Sequence, residues 1–316
     1  MLLHPAHYPW PAPPEALFDR LGPLVLEIGF GDGRFLAMLR DAHPGWNLIG
    51  AEISSAAVFR AYRRMQREAV DRVWLYKGEG PFVVQHLVPR RALHRIYVNF
   101  PDPWPRKRHA DRRLMRQPFL RLAATRLAEG GTVMLTTDHS DYFQMAVAEG
   151  HATGLYEVSQ GAPPPLTLRT KYALKWQDQG KPIYHVTLTK RAEPEETFPV
   201  RPRVDLAMQQ ARLRGALPVL TAFEKLVHRF EGGTAVFRHA YRPLDQPGLI
   251  LTAQIDEGDL IQDLLLEIRP DAGAETVHLG IKRFGEVMPT KGVAEAVRFV
   301  AHWLETQGLE LEDGWY

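Results

Sequence analysis

PLVLEIGFGDGRF, residues 23 to 35, passes from an apolar run through three glycines to the start of an amphipathic segment. Leu24, Val25, Leu26 and Ile28 make a short continuous apolar stretch, the pattern of a strand covered on both faces. Gly29, Gly31 and Gly33 end it, and glycine there lets the backbone turn tightly and approach a ligand closely. In DGRFLAMLRDAHP, which overlaps the turn, Phe35, Leu36 and Leu39 fall on one helical face. The stretch therefore reads as strand, tight turn and helix.

The same alternation continues on the C-terminal side. NLIGAE reads as a second strand, and SSAAVFRAYRRMQREAV as a helix that Ser54 or Ser55 can cap. VWLYKG, RIYVNF and TVMLTTD are further strands; PFVVQHLVP and LMRQPFLRLAATRLAEGG separate them, and SDYFQMAVAEG follows. Strands alternating with helices predict an α/β fold with a parallel sheet covered on both faces. After residue 150 the pattern changes. LYEVSQ and YHVTLTK read as two strands joined by a long loop through Pro163 to Pro165, with too little helix for another crossover, which predicts an antiparallel edge. RAEPEETFPVRPR, residues 191 to 203, mixes proline with charge and reads as a linker. It separates a first domain, residues 1–190, from a second, residues 204–316. In the second, GLILTAQID, DLLLEIRPD and TVHLGIKRFG suggest a strand meander and GVAEAVRFVAHWLETQG an amphipathic helix, a smaller α+β domain.

With 316 residues and 45% apolar content the chain can build a substantial core. The opening MLLHPAHYPWPAPPE lacks the form of a secretory signal, and no segment approaches the roughly 20 apolar residues needed to span a bilayer. These features predict a soluble, cytoplasmic protein without membrane attachment. The chain has no cysteine, and its histidines form no ligand cluster, so no metal is expected. The net charge of +2 conceals an asymmetry: residues 1–196 hold 26 Lys and Arg against 20 Asp and Glu, and the remainder 13 against 17. The basic excess belongs to the first domain.

A dinucleotide fingerprint GxGxxG would need glycine where Arg34 stands, so the pyrophosphate cradle is not reproduced. The turn instead resembles that of S-adenosylmethionine methyltransferases, in which an acid at the start lies near the methionine end of the cofactor and another after the second strand accepts from the ribose hydroxyls. Glu27 and Glu52 stand at those two places. Glu79, at the end of the third strand, is a weaker candidate for the adenine edge. The plain alternative is a tight strand-to-helix turn with no ligand.

NFPDPWPRKRHADRRL, residues 99 to 114, follows the fourth strand. Open parallel sheets bind ligands beyond the carboxyl ends of their strands, which puts Asp102 near the cofactor. Pro101, Pro103 and Pro105 each bias the preceding residue toward extended backbone, so Phe100, Asp102 and Trp104 are expected to be held stiffly in that form. Arg106, Lys107, Arg108, Arg112, Arg113 and Arg116, with His109, outweigh the single Asp111. Such a run is ordinarily a solvated face; beside a cofactor it reads as a surface for a polyanion's phosphates.

At this length the match to PDPWPRKRHADRRL resembles the signature of the bacterial tRNA (guanine-N7)-methyltransferases, PDPWPKKRHxKRRL. The likeness runs from residue 24 to about 190 and takes in EIGFGDGRF, Glu52, TTD at 136–138, RTKY and GKPIYH. It implies a Rossmann-like seven-stranded class I methyltransferase sheet, S-adenosylmethionine as donor, tRNA as partner, and methylation at N7 of a guanine in the variable loop. It also implies that Glu27, Gly29, Gly31, Glu52, Glu79 and Asp102 bind the cofactor and that Asp102 is catalytic. Arg106, Asp138 and Thr170 fall on substrate positions, and Lys107, Arg108, Arg112 and Arg113 on the tRNA backbone. No obligatory protein partner is implied. The family's TxxE departs here to Thr170-Lys171-Tyr172-Ala173, so a carboxylate expected near the guanine is missing. Two rival readings stand beside this one: an adenine N6 methyltransferase, whose catalytic turn has the form NPPY, and an RNA-binding module without catalysis.

Overall fold

Val25, Leu26, Leu48, Ile49 and Leu75 are wholly shielded from solvent, as a strand run that is apolar on both faces requires. They lie in the first of two units in the computed structural model, Met1–Val200 and Arg201–Tyr316. The structure describes residues 2–104, 106–271, 275–282 and 284–316, with the side chains of Lys107 and Ala110 outside that description. Pro105, the Lys107 side chain and Arg283 therefore fall outside the described residues.

In the first unit β1 (Leu24–Ile28) leads through the glycine turn into α1 (Arg34–Ala42), and β2 (Asn47–Glu52) into α2 (Ser55–Arg67). Phe35, Leu36 and Leu39 of α1 meet Val58, Ala61 and Met65 of α2 over Val25, Leu48 and Leu75, so the expected apolar face is the one that packs. Burying each large side chain there contributes about 1.5–3 kcal/mol. Ser54 caps α2, its hydroxyl accepting from the Ala57 amide at 3.3 Å. β3 (Val73–Lys77), β4 (Leu93–Asn99), α3 (Gln117–Arg126), β5 (Leu127–Thr137), α4 (Ser140–Thr153), β6 (Tyr156–Gln160), α5 (Lys171–Asp178) and β7 (Tyr184–Lys190) follow. β5 starts earlier than the sequence predicts: LAEGG, residues 127–131, extends the strand and does not end the preceding helix.

The strand order is β3-β2-β1-β4-β5-β7-β6. β3 to β5 run parallel, and β7 is antiparallel to both β5 and β6, the expected edge. The chain builds outward from β1 to β3 and then returns to place β4 on the other side of β1. Loops leaving β1 and β4 thus diverge and leave a crevice at their carboxyl ends. The glycine turn and the NFPDPW loop are those two loops.

The second unit is a seven-stranded antiparallel sheet ordered β14-β8-β13-β12-β11-β10-β9. The expected meander is present as β11 (Leu249–Asp256), β12 (Ile261–Pro270) and β13 (Thr276–Lys282). β8 (Gln210–Arg214), β9 (Leu226–Phe230), β10 (Gly233–Tyr241) and β14 (Glu310–Trp315) extend it on both sides. A helix, α6 (Lys291–Thr306), lays Val293, Val297, Val300 and Leu304 against the alternating buried residues of the strands.

Candidate functional site

Glu27 is buried at the end of β1, only 2% exposed, beside the end of β4. Its Oε1 accepts from the side-chain amide of Asn99 at 3.2 Å, while its Oε2 and the Asn99 Oδ1 have no hydrogen-bond partner. Burial pushes the Glu27 carboxyl up to about 8, and the nearby Glu52 and Asp32 charges act in the same direction against the Asn99 hydrogen bond. Once Glu27 gives up its proton, its Oε2 and the Asn99 Oδ1 form a buried acceptor pair lining one cavity, the arrangement that takes a cationic group.

The three glycines divide into two kinds. At Gly29 (φ 80°) and Gly31 (φ 57°) a Cβ would meet nothing within 4 Å. At Gly33 (φ 75°) it would lie 2.8 Å from the Cβ of Ala61, so this glycine lets α2 pack against the turn. The turn is fixed from outside: Asp32 Oδ1 accepts from the Arg34 amide at 3.2 Å, and Oδ2 pairs with Arg64 at 3.0 Å. Glu52, at the end of β2, accepts from the Gly31 amide at 3.0 Å through one oxygen and from the Ser54 amide at 2.9 Å through the other. A carboxylate has about four lone-pair sites, so acceptor capacity remains for hydroxyl donors.

Glu27, Asn99, Gly29, Gly31, Asp32 and Glu52 line one cavity of about 1110 Å³ together with Glu79, Asp102 and Thr170. Glu79 and Asp102 are exposed; Thr170 is buried and caps α5, its hydroxyl donating to the Thr167 carbonyl at 2.8 Å and accepting from the Ala173 amide at 3.3 Å. The elbow around Asp102 departs from expectation. Phe100 and Trp104 stand at φ 50° and 43°, in the left-handed region, and not in the extended form that the following prolines favour. Such residues cost on the order of 1–3 kcal/mol each and persist only where surrounding contacts impose them. The contacts here are the Thr136 carbonyl, which accepts from the Phe100 amide at 2.7 Å, and Arg113. The Arg113 guanidinium donates to the Pro103 carbonyl at 2.9 Å and the Trp104 carbonyl at 3.4 Å, and it lies over the Tyr142 ring at 5.4 Å.

Of the basic residues expected on the tRNA backbone, Arg113 is thus turned inward to hold the elbow. Arg112 lies over the Trp104 ring at 4.9 Å, and Arg108 is exposed. Lys107 lies at the start of a short helical turn, Lys107–Arg112. Arg106 is exposed and Asp138 follows β5 half-buried, and neither lines the cavity.

The sequence reading missed Asn99 and Tyr142. Tyr142 on α4 is fully buried, and its hydroxyl accepts from the amides of Leu114 at 3.0 Å and Met115 at 3.3 Å. Burial pushes this phenol up to about 12, so it stays neutral while anchoring the end of the basic loop. Among the described residues no group of three or more His, Cys, Asp or Glu is placed to hold a metal ion. Nor is any of their helices long and apolar enough to cross a membrane.

A family model described as "Putative methyltransferase" matches residues 22–186. A protein of Thermus thermophilus named tRNA (guanine-N(7)-)-methyltransferase is 47% identical over 312 residues, covering 98% of each chain. One of the same name from Deinococcus radiodurans is 38% identical over 320 residues, again 98% of each. A third, from Bordetella pertussis, is 35% identical over 178 residues, 56% of this chain and 69% of its own length.

Proposed function

The chain belongs to the tRNA (guanine-N7)-methyltransferases, and on that premise we propose how its own residues carry the reaction. The enzyme methylates N7 of guanine in tRNA with S-adenosylmethionine as donor; that the guanine lies in the variable loop belongs to the proposal. The observation that carries the reading is the single cavity lined by both the glycine turn and the Asp102 elbow.

The residues present fit the donor. Glu27 Oε2 and Asn99 Oδ1 offer buried acceptors to its ammonium, Gly29 and Gly31 leave open space for its methionine end, and Glu52 accepts from its ribose hydroxyls. Glu79 takes the adenine edge. When bound, the donor supplies an electrophilic methyl group on a positively charged sulfur. Guanine N7 carries a free lone pair and no proton, so no side chain has to act as a base at the nucleophile, and no metal is called for. The chain's task is alignment, which in well-oriented systems offsets roughly 7–11 kcal/mol of barrier. Asp102 lies where positive charge grows on the purine and offsets it or grips the N1 and N2 hydrogens. Asp138, Arg106 and Thr170 hold the nucleotide around it, and Lys107, Arg108 and Arg112 bind phosphates.

The test is to incubate the protein with tRNA and donor carrying a labelled methyl, digest to nucleosides, and identify the labelled product. Label in 7-methylguanosine from the variable loop supports the reading; label in N6-methyladenosine, or none, overturns it.

A further inference from the structure

One wall of the cavity comes from a segment far along the chain. Phe198, half-buried, lines it beside Pro81, Gln85, Phe119 and Leu122. These neighbours belong to the segments after β3 and after β4, the end of the cavity marked by Glu79. Phe198 belongs to neither. It reaches them on a strap, residues 191–200, that leaves β7 and returns across the sheet's flank.

The strap is tied at several points. Glu193 accepts from Lys190 at 2.5 Å and from Arg91 at 2.9 Å, and Arg121 pairs with Glu196 at 3.1 Å. Beside Phe198 the ties are to backbone. Gln85 Nε2 donates to the Pro199 carbonyl at 3.0 Å. Arg126, only 1% exposed, donates to the Phe198 carbonyl at 3.0 Å, to the Val84 carbonyl at 3.0 Å and to the Gln85 carbonyl at 2.9 Å. Burying a guanidinium is costly unless its donors are satisfied. Here they are spent on the backbone of two segments, residues 84–85 and Phe198, and on the Thr125 hydroxyl at 2.8 Å, and Arg126 has no ion pair among the described residues.

We infer that Phe198 is a cofactor-binding residue, the apolar wall against which the donor's purine lies, and that Arg126 is the residue that positions it. This rests on the reading of the cavity as the donor site. A lining that combines Pro81, Phe119, Leu122 and Phe198 with the polar Gln85 and Glu79 matches an aromatic heterocycle with polar edge atoms.

The experiment uses the full chain and S-adenosylhomocysteine as probe, with affinity measured calorimetrically and the melting temperature of the ligand-free protein recorded in parallel. Phe198→Ala is expected to weaken binding about tenfold or more and Phe198→Leu by less, with ligand-free melting temperatures close to the parent's. Arg126→Lys, which cannot make the forked contacts, is expected to weaken binding of the same probe in the parent but not further in the Phe198→Ala background, a dependence that a merely structural role would not show. Equal affinity in the parent and Phe198→Ala overturns the inference while leaving the donor site intact. A parent that binds no S-adenosylhomocysteine overturns the reading of the cavity itself.

Discussion

The Asn99 side-chain amide donates to Oε1 of Glu27 at 3.2 Å between the paired ends of β4 and β1, and leaves Oε2 of Glu27 and Oδ1 of Asn99 without a partner. The pair joins the two strands whose loops diverge to form the cavity. It also ties proton binding to folding and to ligand.

Glu27 sets the first expectation, a pH dependence of stability. Its carboxyl rises from 4.5 to about 8 in the folded chain, so the folded state holds this proton more tightly than the unfolded state does. The resulting stabilisation is full below about 4.5 and is lost as pH rises through about 8. Glu27→Gln removes that loss. Melting temperatures of the ligand-free parent and variant between pH 5 and 8.5 should converge at the acid end and separate, parent lower, at the alkaline end; parallel curves would contradict the titration.

The two kinds of glycine predict two kinds of damage. Gly33→Ala forces a methyl to 2.8 Å from the Cβ of Ala61 at a positive φ, and should destabilise the fold by roughly 1–3 kcal/mol. Gly31→Ala meets open space, so it should cost about 1 kcal/mol of backbone strain and chiefly weaken donor binding. Denaturant unfolding and S-adenosylhomocysteine titration separate the two, and identical profiles would contradict the distinction.

Arg108 and Arg113 should differ although both belong to the basic run. Arg108→Ala, at an exposed position, should reduce the slope of log affinity for tRNA against log salt by about 0.7–0.9. Arg113→Ala frees the Pro103 and Trp104 carbonyls, and should lower the single-turnover rate with that slope unchanged. An equal loss of salt slope in both would show Arg113 to be a phosphate contact after all.

Asp102→Ala should lower single-turnover methylation by on the order of a hundredfold or more while donor affinity stays within about threefold. Methylation near the parent rate would remove Asp102 from the chemistry.

What the sequence made legible follows from how local each cause is. The β1 turn, α1 and the cap at Ser54 depend on neighbours in the chain, and the alternation of strand and helix carried the parallel part of the first sheet, though not its strand order. β8, β9 and β14 were not recognised because they are short strands of partly exposed residues, and β10, though nine residues long, because its buried alternation stops after Phe237. The glycine turn and the elbow were each readable, and their convergence followed from strand order. The backbone at Phe100 and Trp104 was not, since the hydrogen bond from the Phe100 amide to the distant Thr136 carbonyl and those that Arg113 donates override the local preference set by proline. Tyr142 and Phe198 reach the cavity through tertiary packing alone, which leaves no mark on the spacing of their neighbours.

The central claim is that the glycine turn and the Asp102 elbow serve one reaction centre. A crystal structure of the protein with S-adenosylhomocysteine tests it most directly. The account predicts the amino end of the ligand at Glu27 and Asn99, its ribose at Glu52, and its sulfur facing the space before Asp102. A ligand bound elsewhere, or one whose sulfur faces away from Asp102, would contradict it.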